Sequence, residues 1–170
     1  MGEILFARVD DRLIHGQVIL KWIKSVQADT ILVIDNILAT DKYMRDVYRM
    51  AAPPGVSVDV VDVKTPCEEW QKGKFKRNRI LLLFKDISTV KDSVEAGLPI
   101  KVLNIGGIGK KLDQISKQIG GVISLGESDA KKLLYLKEEW NIEIFFQVIP
   151  DQERLDLLDV LRKYFKELII

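Results

Sequence analysis

The sequence feature that most restricts the fold is a recurrence of short apolar runs, most of them separated by enough chain for a helix. The runs are Ile4 to Val9, Thr30 to Ile34, Val56 to Val61, Ile80 to Phe84, Ile100 to Ile105, a weak Gly121 to Ser124, and Ile142 to Val148. Ile80-Leu81-Leu82-Leu83-Phe84 carries no polar alternation, which is the pattern of a strand covered on both faces in a parallel sheet. Between the runs the helix signals are readable. Gln17 to Val26 places Val18, Trp22 and Val26 on one face, with Ile19 and Ile23 beside them. Asp41 is placed to cap a helix over Lys42 to Ala52, which stops before Pro53-Pro54-Gly55. Thr65-Pro66-Cys67-Glu68 reads as an N-cap, a first-turn proline and a capping-box glutamate. A helix opens at Gly126 or Ser128 and runs to about Trp140, and Asp151 is placed to cap a last one ending near Leu168. Strand and helix in alternation predict an α/β fold: a three-layer α/β/α sandwich around an open, twisted, mainly parallel sheet of six or seven strands. Ile142 to Val148 is a candidate edge strand of undetermined direction.

Composition narrows the function classes. The chain has 170 residues, 47 % of them hydrophobic and 30 % charged, which suits a single domain over residues 1–170. No apolar run approaches the length that spans a bilayer. MGEILF lacks both a basic leader and the serine or threonine of an acylation signal, so a cytoplasmic location is expected. A net charge of +1 argues against nucleic acid as a partner. The densest basic stretch, Lys72 to Arg79, reads as a solvated loop, with an acidic protein partner as the alternative. One cysteine, Cys67, and one histidine, His15, are too few for a zinc site of the usual ligands, and no metal or cofactor is expected. At a helix start the Cys67 thiol would have a lowered pKa, but a buried structural thiol fits it better. Trp22, Trp70 and Trp140 are expected in core or helix packing.

Chemistry concentrates after the first run. In open α/β sheets ligands bind beyond the carboxyl ends of the strands, which is where Asp10-Asp11-Arg12-Leu13-Ile14-His15-Gly16-Gln17 falls. A phosphohistidine site needs a neutral imidazole, and an ordinary histidine pKa of about 6.5 leaves most rings neutral in the cytosol. One ring nitrogen must be held as N–H so that the other presents its lone pair, a task for a carboxylate such as Asp10. Arg8 and Arg12 are candidate bidentate donors to the phosphoryl oxygens. Backbone N–H groups at Gly16 and Gln17, where a helix opens, add anion-binding donors. Gly16 also lets the backbone approach without a Cβ in the way. Leu13 and Ile14 read as packing residues. Lone histidines are more often surface or satisfied core residues, so spacing alone leaves an anion-binding module open as well. Gly106-Gly107-Ile108-Gly109 has neither dinucleotide-fold nor P-loop spacing and reads as a tight turn. Phe84, Gly106 and Gly107 are candidates for the wall of a His15 pocket.

Arg8-Val9-Asp10-Asp11-Arg12-Leu13-Ile14-His15-Gly16-Gln17-Val18 resembles the N-terminal signature of the IIB proteins of the mannose/fructose/sorbose phosphotransferase family, Arg-x-Asp-x-Arg-Leu-x-His-Gly-Gln-Val. Ala51 to Val56, Leu81 to Lys85 and Asn104-Ile105-Gly106-Gly107 are similar to further segments of such proteins. The resemblance covers the chain to about residue 150. It implies an open, mainly parallel sheet with helices on both faces. It also implies that His15 accepts a phosphoryl group from a IIA histidine and passes it to a sugar held by membrane IIC and IID subunits, which would place the protein at the inner membrane face. Asp10 would orient the ring, Asp11 stands at a variable signature position, and a homodimer remains open. The residues after the double glycine, Ile108 to Lys111, depart from the usual pattern.

Overall fold

The computed structural model describes residues 2–169. Its first strand, β1 (Glu3–Asp10), becomes buried from Phe6 onward and leads through the histidine loop into α1 (Gly16–Val26). Then come β2 (Thr30–Ile34), α2 (Lys42–Met50), β3 (Ser57–Val61), α3 (Lys64–Gln71), β4 (Arg79–Phe84), α4 (Ile87–Glu95) and β5 (Val102–Gly107). The chain continues with β6 (Ser116–Gly120), β7 (Ile123–Gly126), α5 (Glu127–Trp140), β8 (Glu143–Phe146), β9 (Leu155–Asp156) and α6 (Leu157–Tyr164).

Among the described residues one sheet has seven strands in the order β3-β2-β4-β1-β5-β8-β9, all parallel except β9. The α/β sandwich expected from the sequence is therefore the fold. Connections running one way along the sheet, through α1 and α2, lie on one face. Those running the other way lie on the opposite face, as right-handed crossovers require. The two apolar layers follow. Ile19, Trp22 and Ile23 of α1 pack on Phe6, Ile31, Val33, Leu81 and Leu83. Across the sheet, α3 to α6 pack on Ala7, Val9, Leu82, Phe84, Leu103 and Ile105. All of β2, and β4 beyond Arg79, are buried on both faces, which explains their unbroken apolar sequences.

Several local expectations give way. Gly121 to Ser124 does not join the main sheet; β7 forms an antiparallel hairpin with β6. Two parallel-bridge hydrogen bonds then link Ile108 to that hairpin. β8 is parallel to β5 and is not an edge, because the short β9 pairs outside it. Thr65 is not a cap: α3 begins a residue earlier, and Asp62 accepts the Thr65 amide at 2.7 Å, so the capping box with Glu68 is not made. Asp151 does not cap the last helix, which opens at Leu157; its carboxylate accepts from Lys21 at 3.0 Å instead. Asp41 accepts the Met44 amide and does cap α2. Cys67 is buried, and burial pushes its thiol pKa up, the opposite of activation. Trp22 is buried in the α1-side layer and Trp70 packs, partly buried, against the opposite one, whereas Trp140, at the end of α5, is 45 % exposed. The basic loop before β4 lies at the sheet edge opposite His15, with Lys74 on Glu69 and Arg79 near Glu3.

Candidate functional site

The loop after β1 turns toward the α1 face, whereas the chain leaving its neighbours β4 and β5 turns toward the other. The carboxyl end of β1 is thus a topological switch point, where open α/β sheets form a crevice. Strand alternation puts Phe6, Arg8 and Asp10 on the α1 side of β1, and Val102 and Asn104 on the same side of β5. Arg8 and Asn104 are paired neighbours in register.

Asp10 is fully buried, and its carboxylate collects every polar group nearby. Oδ1 accepts from the Arg12 amide at 3.1 Å and from Arg12 Nε at 3.0 Å. Oδ2 accepts from Arg8 Nη2 at 2.8 Å and Arg12 Nη2 at 3.1 Å, and stands 3.0 Å from His15 Nε2. Burial pushes the Asp10 pKa up. The hydrogen bonds from Arg12 and His15, with the charge of Arg8, outweigh that and hold it below the ordinary carboxylate value. The site therefore holds an anion at neutral pH, and a carboxylate can only accept. Its contact with His15 requires the proton on Nε2, which in the neutral ring leaves the Nδ1 lone pair free.

Arg8, expected beside the phosphoryl group, is instead enclosed at 1 % exposure. Nη1 donates to Asn104 Oδ1 and, at 3.2 Å, to the Gln147 carbonyl, while the guanidinium lies 5.4 Å from the Trp22 ring centroid. Burial lowers its pKa to about 10 against the opposing pull of Asp10, so it remains a cation at neutral pH. Arg8 can act on the ring only through Asp10. Arg12, with a side chain 40 % exposed, is the guanidinium that solvent or a ligand can reach.

The double glycine explains how these charges fit. Gly106 is an extra residue in β5: Val9 pairs with Ile105 and Asp10 with Gly107, which makes a bulge beside the site. A Cβ on Gly106 would sit 1.9 Å from Arg8 Nη1, and one on Gly107 would sit 2.8 Å from Asp10 Oδ1. These glycines are the floor under Arg8 and Asp10. Phe84 belongs to the opposite apolar layer, across the sheet from Arg8 and Asp10. Gly16 corrects differently. A Cβ there would meet nothing within 4 Å, and its need is a left-handed φ of +42°. Leu13, also left-handed at φ +55°, is held by its buried side chain. Ile14 packs half-buried beside it.

His15 is the extended residue immediately before α1, with its side chain 24 % exposed. No side chain caps α1 and no acid stands in its first turn, so the first amides, with exposed Gly16 and Gln17 among them, offer donors and a positive helix end to an anion. Asp11, on the outer side of the loop, accepts the Gly109 amide at 2.7 Å and ties the histidine loop to the chain after β5. Sequence reasoning missed Asn104 and Trp22 as partners of Arg8. The signal available was a polar residue inside an apolar strand run. Among the described residues no three His, Cys, Asp or Glu side chains converge to hold a metal ion. No described helix is long and apolar enough to cross a membrane. The arrangement is a half-exposed imidazole with a fixed tautomer, a reachable guanidinium and uncapped helix amides, which together can take and hold a phosphoryl group.

Comparison with known proteins gives the same direction. The fructose-specific EIIB component of Bacillus subtilis (strain 168) is 30 % identical over 166 residues, 98 % of this chain and all of that one. The sorbose-specific EIIB component of Lacticaseibacillus casei is 33 % identical, covering 95 % of this chain and 97 % of that one. The mannose-specific EIIAB component of Escherichia coli (strain K12) is 32 % identical over 94 % of this chain, which matches only 49 % of that protein. Among solved structures, manxB from Thermoanaerobacter tengcongensis superposes with a TM-score of 0.90 at 45 % identity, over 97 % of this chain and 98 % of that one. The IIBSor domain of the Klebsiella pneumoniae sorbose permease does so at 0.87 and 29 %, over 96 % and 98 %. Residues 4–168 match the family described as PTS system sorbose subfamily IIB component, and this chain belongs to that family, as a IIB component of a sugar phosphotransferase system.

Proposed function

We propose that the protein is the phosphocarrier of such a system and that His15 carries the phosphoryl group on Nδ1. The observation that carries this reading is the 3.0 Å contact between His15 Nε2 and a carboxylate that is buried and ionised. Nδ1 attacks the phosphorus of a IIA phosphohistidine. The donor N–P bond breaks, its electron pair returns to the donor ring, and a new N–P bond forms at His15. The proton on Nε2 stays in place, so the phosphorylated ring gains positive character that the Asp10 carboxylate balances. Arg12 and the first α1 amides, at Gly16 and Gln17, face the phosphoryl oxygens, while Arg8 holds Asp10. A sugar hydroxyl then takes the phosphoryl group: an O–P bond replaces the N–P bond and the hydroxyl proton passes to a base on the acceptor side.

The donor is a IIA domain or protein, in keeping with the EIIAB name of the Escherichia coli relative. The acceptor is sugar bound by membrane IIC and IID subunits, so the whole of residues 1–170 works as one domain at the cytoplasmic membrane face. The proposed step runs without metal or cofactor because charge stabilisation comes from protein cations.

The test is incubation with phosphoenolpyruvate, the general phosphotransferase proteins and a IIA partner. One acid-labile phosphoryl group per chain should appear, and His15→Ala should fold and take none. Labelled His15→Ala would end the assignment.

A further inference from the structure

Behind the ring lies a buried polar chain that the carrier chemistry does not by itself require. Asn104 is fully buried in β5, and both ends of its amide are used. Oδ1 accepts from Arg8 Nη1, and Nδ2 donates at 3.0 Å to the Gln147 carbonyl, which also accepts from Arg8 Nη1 at 3.2 Å. Arg8, Asn104 and the Gln147 carbonyl thus close a three-membered network spanning β1, β5 and the exit of β8. Arg8 Nη2 projects from it to Asp10 Oδ2 at 2.8 Å, the same oxygen that faces His15 Nε2. Trp22 covers the guanidinium, and the missing Cβ of Gly106 leaves it room.

We propose that Asn104 is a positioning residue for phosphoryl transfer, fixing the guanidinium that fixes Asp10 and, through it, the Nε2–H form of His15. The proposal rests on the reading of His15 as the carrier. Asn104 and the Gln147 carbonyl fix the far side of the Arg8 fork, and removing the Asn104 acceptor leaves the buried Nη1 donor underpaired. With Asn104 gone, the Gln147 carbonyl is the only partner left on that side. Nη1 then follows it, the fork tilts, and the Nη2–Oδ2 contact loosens, so the carboxylate is steadied mainly by Arg12. His15 loses the contact that selects its tautomer, and the proton is shared between the two ring nitrogens. Some rings then present N–H, not a lone pair, to the donor, and those that keep the lone pair are no longer held in its direction. Outer partners of this kind are worth roughly 10- to 100-fold in activity where they orient an imidazole.

Asn104→Leu is close in shape and removes both hydrogen bonds. Asn104→Ser is smaller than the native side chain, strains nothing, and keeps the test open if the leucine variant does not fold. Two readouts are taken on each folded variant. The first is the 15N spectrum of the unphosphorylated imidazole, which should show the Nε2–H form in the native protein and a mixture of tautomers in the variant. The second is the rate of phosphoryl acceptance from a IIA donor, expected to fall about 10- to 100-fold. A stability role alone would lower the melting temperature and leave the tautomer untouched. Native tautomer and native rate in a folded variant would overturn the proposal. Failure of the carrier reading itself would appear elsewhere, as a native protein that takes no phosphoryl group while the tautomer comparison still reads on Asn104.

Discussion

Replacing Asp10 by asparagine keeps the shape of the side chain and removes the one anion of the site. The native carboxylate accepts from five protein groups, and its fully buried partner Arg8 has no other anion within reach. An asparagine has one acceptor oxygen. Its NH2 would point either at Arg8, Arg12 and His15, or at the two remaining Arg12 donors, in each case donor against donor. Arg12 contributes little to the loss, since its side chain is 40 % exposed and such pairs are worth about 0.5 kcal/mol. The dominant effect is the uncompensated Arg8 cation, and breaking a buried pair on one side costs about 3–5 kcal/mol. Against a total stability on the order of 5–15 kcal/mol, Asp10→Asn should stay folded with its urea midpoint clearly lowered.

The pH dependence gives a second handle on the same variant. The native carboxyl pKa is held below its ordinary value, so Asp10's contribution is complete above a pH of about 4 and is lost as pH falls through the folded-state value. Urea denaturation from pH 7 to pH 2 should show the two stability curves far apart at neutral pH and converging below about pH 4. A neutral-pH difference under about 1 kcal/mol, or curves that stay parallel into acid, would refute the claim that a buried ionised Asp10 organises the site.

Two further outcomes are expected. Arg12→Ala should change stability by less than about 1 kcal/mol yet slow phosphoryl acceptance at least several-fold; an unchanged rate would remove Arg12 from the transition state. Asp11→Ala should free the Gly109 amide and speed hydrogen exchange across residues 108–115, with a stability loss of about 1 kcal/mol or less. Exchange there at the native rate would show that the two loops are not tied through this bond.

The sheet was legible because its central strands are covered on both faces, and only β-branched and aliphatic runs satisfy that. Ile80 to Phe84 announces itself for this reason. The hairpin of β6 and β7 was not legible: Lys117 and Gln118 are exposed and its stability comes from Ile119, Ile123 and Leu125 packing on a distant layer. Asp151 failed as a cap because Asp156 carries the same local signal, and only the pairing of β9 with β8 decides that α6 starts there. At the site, the sequence placed His15, Asp10 and Arg12 on one loop but could not say which arginine faces outward. Arg8 and Asp10 are two residues apart on a strand, so they share a face. Whether that face is open or covered depends on how α1 brings Trp22 back over the strand and on Asn104 from β5, which is far away in sequence.

The buried charges bear on why the site has this form. A buried arginine–aspartate pair is weak support for stability, since apolar residues of the same volume often serve the fold as well or better. Here the pair sits on the α1 face of the sheet beside an extensive apolar layer, with a bulge and two glycines reserved for it. Stability alone accounts poorly for such an arrangement. Orientation accounts for it better: an exposed carboxylate would rotate and exchange its partners with water, whereas one held from beneath by Arg8 and from the side by Arg12 has a single direction left for its remaining lone pair. That direction is the Nε2 of the chain's only histidine, 3.0 Å away. The partly exposed ring can then meet partners while its tautomer is set from the interior, where neither partner nor solvent reaches.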